Sequence, residues 1–396
     1  MQISYCHIMV KRTAHETILR LAKGFPVIAI TGPRQSGKTT LAKSAFPDKP
    51  YLTLEDPDTR ILAEKDPRGL LSHYPDGLIL DEAQRSPQLF SYLQGFVDEH
   101  LAPGKYVLTG SQQFGLFSGI TQSLAGRVGL VQLLPFAMKE LSSSGKLPED
   151  MDRLMLTGMY PPLYDRQLEP ADWFPAYVNT YIERDLRQLI NVRELSAFQR
   201  FVRMCAARTG QLLNLSSLAS DCGITHNTAA AWISVLEASY IIFLLRPHFT
   251  NFNKRLVKTP KLYFLDTGLA TWLLGIRELE QLAYHAQRGA LFENLVVTEF
   301  LKGRFNRGEQ PDLYFWRDSK GLEVDLLLDD GINLKPVEIK SGRTVAADFL
   351  TPLRKWCALS GVPDRPATLI YGGDREFSDQ NVAIIPWRKL GDLTSI

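Results

Sequence analysis

Residues 32–39 read GPRQSGKT and match the pattern GxxxxGK[ST] at every fixed position. The apolar run VIAI at residues 27–30 precedes them, and a helix-forming stretch follows. In a strand, loop and helix of this kind, the glycines let backbone N–H groups turn inward around phosphate oxygens, and the helix N-terminus favours negative charge. The pattern therefore predicts a phosphate-binding loop at the end of a buried strand.

The side chains of this loop have separate expected tasks. Lys38 would reach the β- and γ-phosphates of ATP, and Thr39 would ligate Mg²⁺. We thus expect ATP and Mg²⁺ as cofactors. The predicted nucleotide-binding residues of the loop are Gly32, Pro33, Arg34, Gln35, Ser36, Gly37, Lys38, Thr39 and Thr40.

A second motif, LILDE at residues 78–82, is an apolar strand that ends in two carboxylates. Asp81 would hold the metal and Glu82 would polarise the attacking water, a division of labour that suits hydrolysis. The alternative is that the paired acids only cap a helix. With the phosphate loop upstream, the motif predicts an ATPase.

Two later segments contain further candidates for this site. Ser111 and Gln112, in LTGSQ at residues 108–112, would sense the γ-phosphate, or would only initiate a turn. Arg127, in SLAGRV at residues 123–128, would stabilise transition-state charge in cis or in a neighbouring subunit, or would be an ordinary surface arginine.

The fold class follows from the alternation of short apolar runs with longer helical stretches, which predicts an α/β fold with a parallel sheet in the first part of the chain. A smaller α/β unit is expected after a mostly helical middle region. We predict an ATPase domain at residues 1–145, a helical linker and winged-helix domain at 146–280, and a nuclease-like domain at 281–396.

The middle region is the best candidate for contact with nucleic acid. Residues 173–270 contain eleven Lys and Arg against six Asp and Glu, whereas the whole chain has a net charge of only +2. Short helices joined at Cys222 and Gly223, followed by alternating residues around a basic turn, predict a winged helix. A protein-binding or scaffold role remains open, because the second helix is alanine-rich.

Specific residues of this predicted winged helix are candidates for double-stranded DNA. His226 and Asn227 begin the second helix, where a recognition helix would face base edges. Lys254, Arg255 and Lys258 lie in the expected wing and would bind backbone phosphates.

Acidic residues in the last part of the chain suggest a possible second metal site. Glu338 and Lys340 are two apart on one predicted strand and point to the same face, with Asp325 on the preceding strand. Together with Glu293, the carboxylates of Asp325 and Glu338 would hold Mg²⁺, and Lys340 would position a water. The alternative is a salt-bridged strand pair.

The order of these motifs resembles a prokaryotic family of AAA-related P-loop ATPases with a C-terminal conserved domain of unknown function. The resemblance implies an ATPase core, a winged helix and a part similar to PD-(D/E)XK nucleases. It rests on GPRQSGKTT from Gly32, LILDEAQ from Leu78, LTGSQQ from Leu108, SLAGRV from Ser123, YIERDL from Tyr181, LDTGLA from Leu265, GALFEN from Gly289, EVDLLL from Glu323 and VEIKSG from Val337.

We expect an Mg²⁺-dependent ATPase that couples its nucleotide cycle to DNA binding or remodelling. The alternatives are a nucleotide-gated switch with slow turnover that binds a protein partner, and an ATP-regulated, metal-dependent nuclease. A homo-oligomer is possible. Four separated cysteines, no long apolar run and no signal-peptide pattern predict a cytoplasmic protein without membrane contact.

Overall fold

The computed structural model describes residues 10–99, 102–111, 123–186, 195–249 and 256–394. The chain divides into two compact units. The first comprises Met1–Phe136 with the short segments Ala238–Tyr240 and Arg304–Glu309, and the second comprises Ala137–Glu237, Ile241–Gly303 and Gln310–Ile396. The predicted three-domain division stays a prediction.

A five-stranded parallel sheet forms the centre of the first unit, with the order β2-β3-β4-β1-β5. Its strands are β1 (Val27–Thr31), β2 (Tyr51–Thr53), β3 (Ile79–Asp81), β4 (Tyr106–Gly110) and β5 (Val128–Gln132). Because all strands run in one direction, the segments that follow them meet at one edge. The α/β fold with a parallel sheet is thus confirmed.

Strand β1 is apolar from Val27 to Ile30 because both faces of the sheet are covered, as is usual for a parallel sheet. All five of its residues are buried. Val27 and Ala29 join the core on one face, and Ile28 and Ile30 join the core on the other. Strand β1 therefore lies between β4 and β5 with a core on each face, which fixes the position of its carboxyl end within the sheet.

Helices connect and cover these strands. Two of them begin at an aspartate followed by proline: the side chains of Asp56 and Asp66 accept hydrogen bonds from the N–H groups of Thr59 and Gly69. The helices of the first unit are Ala14–Leu21, Lys38–Ala45, Pro57–Lys65, Pro67–Ser72 and Leu89–Glu99, with a short 3₁₀ turn at Ala83–Arg85.

The second unit is built on an eight-stranded mixed sheet with the order β12-β13-β11-β10-β9-β8-β6-β7. Trp316 and Trp356 are buried in its core. The strands are β6 (Ile242–Pro247), β7 (Lys261–Phe264), β8 (Leu313–Arg317), β9 (Glu323–Asp329), β10 (Leu334–Lys340), β11 (Ala367–Tyr371), β12 (Phe377–Asp379) and β13 (Val382–Pro386).

The helices of the second unit lie mostly in its first half, as the sequence predicts. They are Met138–Ser143, Met151–Thr157, Pro161–Asp165, Pro170–Tyr177, the π-type segment Val178–Leu186, Leu195–Ala206, Leu215–Cys222, His226–Ala238, Thr267–Leu273, Leu279–Ala283, Arg288–Asn306, Thr351–Leu359 and Leu390–Leu393, with 3₁₀ turns at Ala347–Leu350 and Trp387–Lys389. The helix Arg288–Asn306 continues from Arg304 into the segment grouped with the first unit.

The segment predicted as a winged helix contains two short helices, Leu215–Cys222 and His226–Ala238, joined by a turn at Gly223. Strands β6 and β7 follow as an antiparallel pair, and β6 also pairs with β8 in parallel. The two strands are therefore the edge of the large sheet and not a separate wing. The winged-helix identity itself stays a prediction.

None of the helices in the described ranges combines the length and the apolar composition needed to cross a membrane.

Candidate active site

The loop after β1 has the backbone geometry that a phosphate group requires. Gly32 has φ +150°, and a Cβ atom there would lie 2.0 Å from the carbonyl oxygen of Leu133. Gly37 precedes the helix Lys38–Ala45 in the left-handed region, with φ 90° and ψ 19°. The backbone conformation at both positions therefore requires glycine. The loop ends at the N-terminus of the helix Lys38–Ala45, where the free N–H groups favour an anion.

Lys38 is nearly buried, and its ammonium group donates to the carbonyl oxygen of Pro33 at 2.8 Å. Burial lowers the pKa of Lys38 to about 8, although the charges of Glu82 and Asp81 oppose this shift. A desolvated ammonium group inside a loop of this shape gains most from a nearby anion. Its environment therefore fits a bound phosphate.

Asp81 is the meeting point of three hydroxyl groups. Its Oδ1 accepts from Thr39 Oγ1 at 3.0 Å and also from Thr109 Oγ1, and its Oδ2 accepts from Tyr51 OH at 2.8 Å. Because Thr39 and Asp81 are in contact, the two predicted Mg²⁺ ligands lie together. Burial and the bond to Asp81 raise the pKa of Tyr51 to about 12, so the phenol stays a donor.

Tyr51 and Thr109 were not among the residues predicted from the sequence. Both lie on strands that flank β3, and the pairing of Leu80 with Leu108 places Thr109 beside Asp81. The sequence does show a hydroxyl-bearing residue in each of these strands. Without the strand order, however, it does not show that these strands flank β3.

Glu82 adopts an unusual backbone conformation, with φ 55° and ψ 44°, in the region that side chains other than glycine rarely occupy. Its Oε2 accepts from Ser111 Oγ at 3.1 Å and from the side-chain amide of Gln84. Such strain costs on the order of 1–3 kcal/mol and is typical of functional sites. The predicted sensor Ser111 therefore contacts Glu82, and Gln112 lies outside the described residues.

Other loop residues differ in their surroundings. Arg34 pairs with Glu55 at 3.7 Å, and Glu55 also pairs with Arg85 at 3.4 Å. Gln35 has φ 62°. The hydroxyl of Ser36 is buried without a hydrogen-bond partner among the described residues, whereas Thr40 is exposed.

Arg12, which was not among the residues predicted from the sequence, supports the loop from outside. Its guanidinium donates to the carbonyl oxygens of Ser36 at 2.8 Å and Leu134 at 2.6 Å, and it lies 4.9 Å from the centre of the Phe136 ring. The side chain is almost fully buried. Arg12 thus joins the phosphate loop to the chain that follows β5.

The predicted in-cis role of Arg127 disagrees with its position. Arg127 precedes β5, and Val27 pairs with Val128 at the start of the parallel strands, whereas the phosphate loop follows their carboxyl ends. Five residues of strand, about 3.3 Å each, separate the two edges. Arg127 instead pairs with Asp98 at 2.5 Å, so the two alternatives that remain are a role in a neighbouring subunit and an ordinary surface arginine.

The carboxylates of the second unit are joined by lysines. Lys340 contacts Glu338 at 2.5 Å and Asp325 at 3.7 Å, and Lys261 contacts Glu293 at 2.8 Å. Within the described ranges, no group of three or more His, Cys, Asp or Glu side chains has the spacing to hold a metal ion. Lysine ammonium groups thus pair with all three carboxylates of the predicted metal shell, Glu293, Asp325 and Glu338, and the shell itself stays a prediction.

Glu338 nevertheless has an unusual environment. Its Oε2 is buried without a hydrogen-bond partner in the described structure. Burial, with the neighbouring charge of Asp325, raises the pKa of Glu338 to about 8. For Lys261, burial acts to lower the pKa, but Glu293, Asp325 and Glu323 outweigh burial and raise it.

The predicted DNA-contacting residues of the second unit are exposed where the structure describes them. His226 and Asn227 lie at the start of the helix His226–Ala238, where Thr225 Oγ1 accepts from the N–H of Thr228 at 3.1 Å. Lys258 is exposed as well. Lys254 and Arg255 lie outside the described residues.

Family models match three successive parts of the chain. A model described as an AAA domain matches residues 24–142. Models described as domains of unknown function match residues 148–280 (DUF8612) and 288–390 (DUF4143). With the parallel sheet and the phosphate loop, the first match defines the class of the first unit as an AAA-type P-loop domain, and it supports ATP binding and hydrolysis.

Two mycobacterial proteins are similar to this chain over nearly its whole length. The uncharacterized protein Rv2008c of Mycobacterium tuberculosis is 32% identical over 386 residues, which are 96% of this chain and 84% of that protein. The uncharacterized protein Mb2031c of Mycobacterium bovis gives the same values. The chain therefore belongs to the same family as these proteins.

Solved structures resemble the chain only in part. The Walker-type ATPase PABY2304 of Pyrococcus abyssi is 16% identical, with a TM-score of 0.45, over 67% of this chain and 96% of its own. AMPPCP-bound DnaA from Aquifex aeolicus is 15% identical, with a TM-score of 0.30, over 57% of this chain and 85% of its own.

Proposed function

We propose that this protein is an Mg²⁺-dependent ATPase whose site is formed by the phosphate loop and the Asp81–Glu82 pair. The observation that carries the proposal is the contact between Thr39 and Asp81, at 3.0 Å, beside the buried Lys38. These two oxygens would hold Mg²⁺, which when bound neutralises charge on the β- and γ-phosphates.

The residues of the chain have distinct tasks in this mechanism. The ammonium of Lys38 binds phosphate oxygens, and the backbone of the loop orients the nucleotide. Glu82 accepts a proton from the attacking water. Ser111 and Gln84 donate to Oε2 of Glu82, so we assign to Oε1 the role of accepting the proton from water. The strained backbone of Glu82 would keep the carboxylate directed at the water.

The first test is steady-state Mg²⁺-ATPase activity of the wild type and Glu82→Gln, with and without double-stranded DNA. We expect Glu82→Gln to bind ATP and to lose about 10²–10⁴-fold in kcat, which is the usual contribution of a general base. Lys38→Ala should lose nucleotide binding itself. Undiminished hydrolysis in Glu82→Gln would remove Glu82 as the base, and tight ATP binding by Lys38→Ala would refute the loop assignment.

Coupling of hydrolysis to DNA is the second part of the proposal. The basic surplus of residues 173–270 and the exposure of His226, Asn227 and Lys258 support it. The alternative is a nucleotide-gated switch that binds a protein partner, which the alanine-rich helix His226–Ala238 favours. Hydrolysis that DNA stimulates would support coupling to DNA. Hydrolysis that DNA does not affect would support the nucleotide-gated switch.

A second candidate function is an ATP-regulated, metal-dependent nuclease. The unpartnered Oε2 of Glu338, close to Asp325, favours it, since Mg²⁺ often binds through only one or two carboxylates plus waters. Lys340 would have to leave Glu338 and take up its predicted task of positioning a water. Mg²⁺-dependent DNA cleavage that disappears in Asp325→Ala, with ATPase activity intact, would support this function, and intact DNA with the wild type would exclude it.

A further inference from the structure

A cavity of about 430 Å³ lies within the second unit. Its lining comes from three parts of the chain, including Arg203 on the helix Leu195–Ala206. The other lining residues are Pro175, Val178, Asn179, Trp272, Leu273, Leu274, Gly275 and Arg277. Pockets of this size accept small molecules of about nucleotide dimensions. None of its described lining residues belongs to the first unit, which contains the phosphate loop.

The charges in this cavity have one sign. Arg203 and Arg277 both line it, and none of its described lining residues is an Asp or a Glu. Two guanidinium groups that share a cavity repel each other and together attract an anion. The cavity is therefore complementary to a ligand with about two negative charges.

Arg277 is held in place by its neighbours. Its Nη1 donates to the carbonyl oxygens of Trp272 at 2.7 Å and Ile276 at 3.0 Å, and its guanidinium carbon lies 3.4 Å from the centre of the Trp272 ring. Burial and the charge of Arg203 lower the pKa of Arg277. A fixed guanidinium loses little entropy when it binds an oxyanion, and its remaining N–H groups can donate to one.

We propose that this cavity binds a phosphate ester of nucleotide size, with the phosphate on Arg203 and Arg277. Guanidinium groups match the geometry of phosphate oxygens and bind them through paired hydrogen bonds. Asn179 supplies a further polar group to the lining. Pro175, Val178 and Leu274 provide apolar surface for the rest of the ligand.

The phosphate could belong to a free nucleotide or to the end of a nucleic-acid strand, because both present the same group to the two arginines. Arg203 lies in the basic stretch of residues 173–270, which supports contact with either source. The experiment therefore uses one probe for each source.

The test measures binding of AMP, and of a short single-stranded DNA with a 5′-phosphate, to the full-length Lys38→Ala protein, in which the phosphate loop no longer competes. Arg203→Gln and Arg277→Gln are introduced into this protein. The matched control is Arg200→Gln, since Arg200 is exposed on the same helix and does not line the cavity.

We expect at least one probe to bind and its Kd to rise about tenfold or more in Arg203→Gln and Arg277→Gln, because each loses charge-assisted hydrogen bonds, with no change in Arg200→Gln. Loss of AMP binding identifies a free nucleotide, and loss of only the DNA probe identifies a strand end. The proposal is overturned if neither probe binds, if both cavity variants bind as tightly as their parent, or if Arg200→Gln weakens binding equally. Arg203 is exposed, so Arg203→Gln is expected to fold. If Arg277→Gln fails to fold, the Kd of Arg203→Gln alone tests the proposal.

Discussion

Thr39 Oγ1 donates to Asp81 Oδ1 at 3.0 Å, which joins the helix after the phosphate loop to the end of β3. The two residues are 42 positions apart in the chain. The same carboxylate also accepts from Thr109 and Tyr51, so three elements converge on one side chain. The orientation of the predicted metal ligand therefore depends on groups that do not themselves bind the metal.

Removing one of these donors should weaken Mg²⁺ binding. We expect Thr109→Val and Tyr51→Phe each to raise the Mg²⁺ concentration at half-maximal ATPase activity by about 10–100-fold, the usual effect of losing a group that orients a metal ligand. The measurement is a Mg²⁺ titration of hydrolysis at saturating ATP. Tyr92→Phe, an exposed tyrosine of the first unit, is the control. An unchanged Mg²⁺ dependence in both variants would show that Asp81 needs no such support.

The lowered pKa of Lys38 predicts a pH dependence of nucleotide binding. Without nucleotide, Lys38 has a pKa of about 8 and loses its proton as the pH rises through that value. Bound phosphate favours the charged form, so binding must take up a proton above pH 8, and the ATP affinity should fall by up to about tenfold per pH unit there. Equilibrium ATP binding between pH 7 and pH 9.5 measures this.

Lys38→Arg is the matched control for that pH profile, since arginine stays charged over the whole range. Its affinity is expected to be lower, because guanidinium is larger, but to lack the decline above pH 8. A wild-type affinity that is flat across this range would contradict the assignment of a buried, easily deprotonated Lys38 to the phosphates.

The lowered pKa of Lys38 should also make the free energy of unfolding depend on pH. The pKa of Lys38 is lower in the folded state than its ordinary value of 10.5, so the unfolded chain binds more protons between about pH 8 and pH 10.5. The free energy of unfolding should therefore rise with pH over this window in the nucleotide-free protein. Lys38→Met, which has no proton to lose, should not show this rise. Thermal melts of the two proteins at each pH compare them, and parallel curves would contradict the prediction.

Arg12 should act on the shape of the loop. Arg12→Gln loses charge-assisted hydrogen bonds to the carbonyls of Ser36 and Leu134, each worth about 1.5–3 kcal/mol. We expect a lower melting temperature and a several-fold higher KM for ATP, because the loop is less ordered before it binds. Lys11→Gln is the control, since Lys11 is exposed and pairs only weakly with Glu16 at 3.5 Å. An unchanged KM would limit Arg12 to a stabilising role.

Tyr240 should stabilise the carboxyl end of β1, which immediately precedes the phosphate loop. Its hydroxyl lies 2.7 Å from Thr31 Oγ1, and Thr31 immediately precedes Gly32. We expect Tyr240→Phe and Thr31→Val to show a coupling energy of about 1 kcal/mol in a double-mutant cycle of unfolding. Tyr284→Phe is the control because Tyr284 is 92% exposed. Additive effects of the two changes would show that the hydrogen bond contributes nothing.

Local patterns in the sequence were enough to predict the phosphate loop, the acidic pair at the end of β3 and the α/β class of the first unit. These features are local: fixed spacing, an apolar run and a following helix decide them within a few residues. Strands β1 and β3 were predicted for the same reason, since VIAI at residues 27–30 and LIL at residues 78–80 are short apolar runs.

The contacts between side chains from distant parts of the sequence became known from the folded structure. The strand order places Thr109 and Tyr51 on Asp81, and the parallel register places Arg127 at the edge opposite to the loop. The pairing of β6 with β8 makes the expected wing part of a larger sheet. Lys261, distant in sequence, neutralises Glu293. Such contacts depend on strand order and register, which follow from the packing of the whole unit, and no local pattern of residues specifies them.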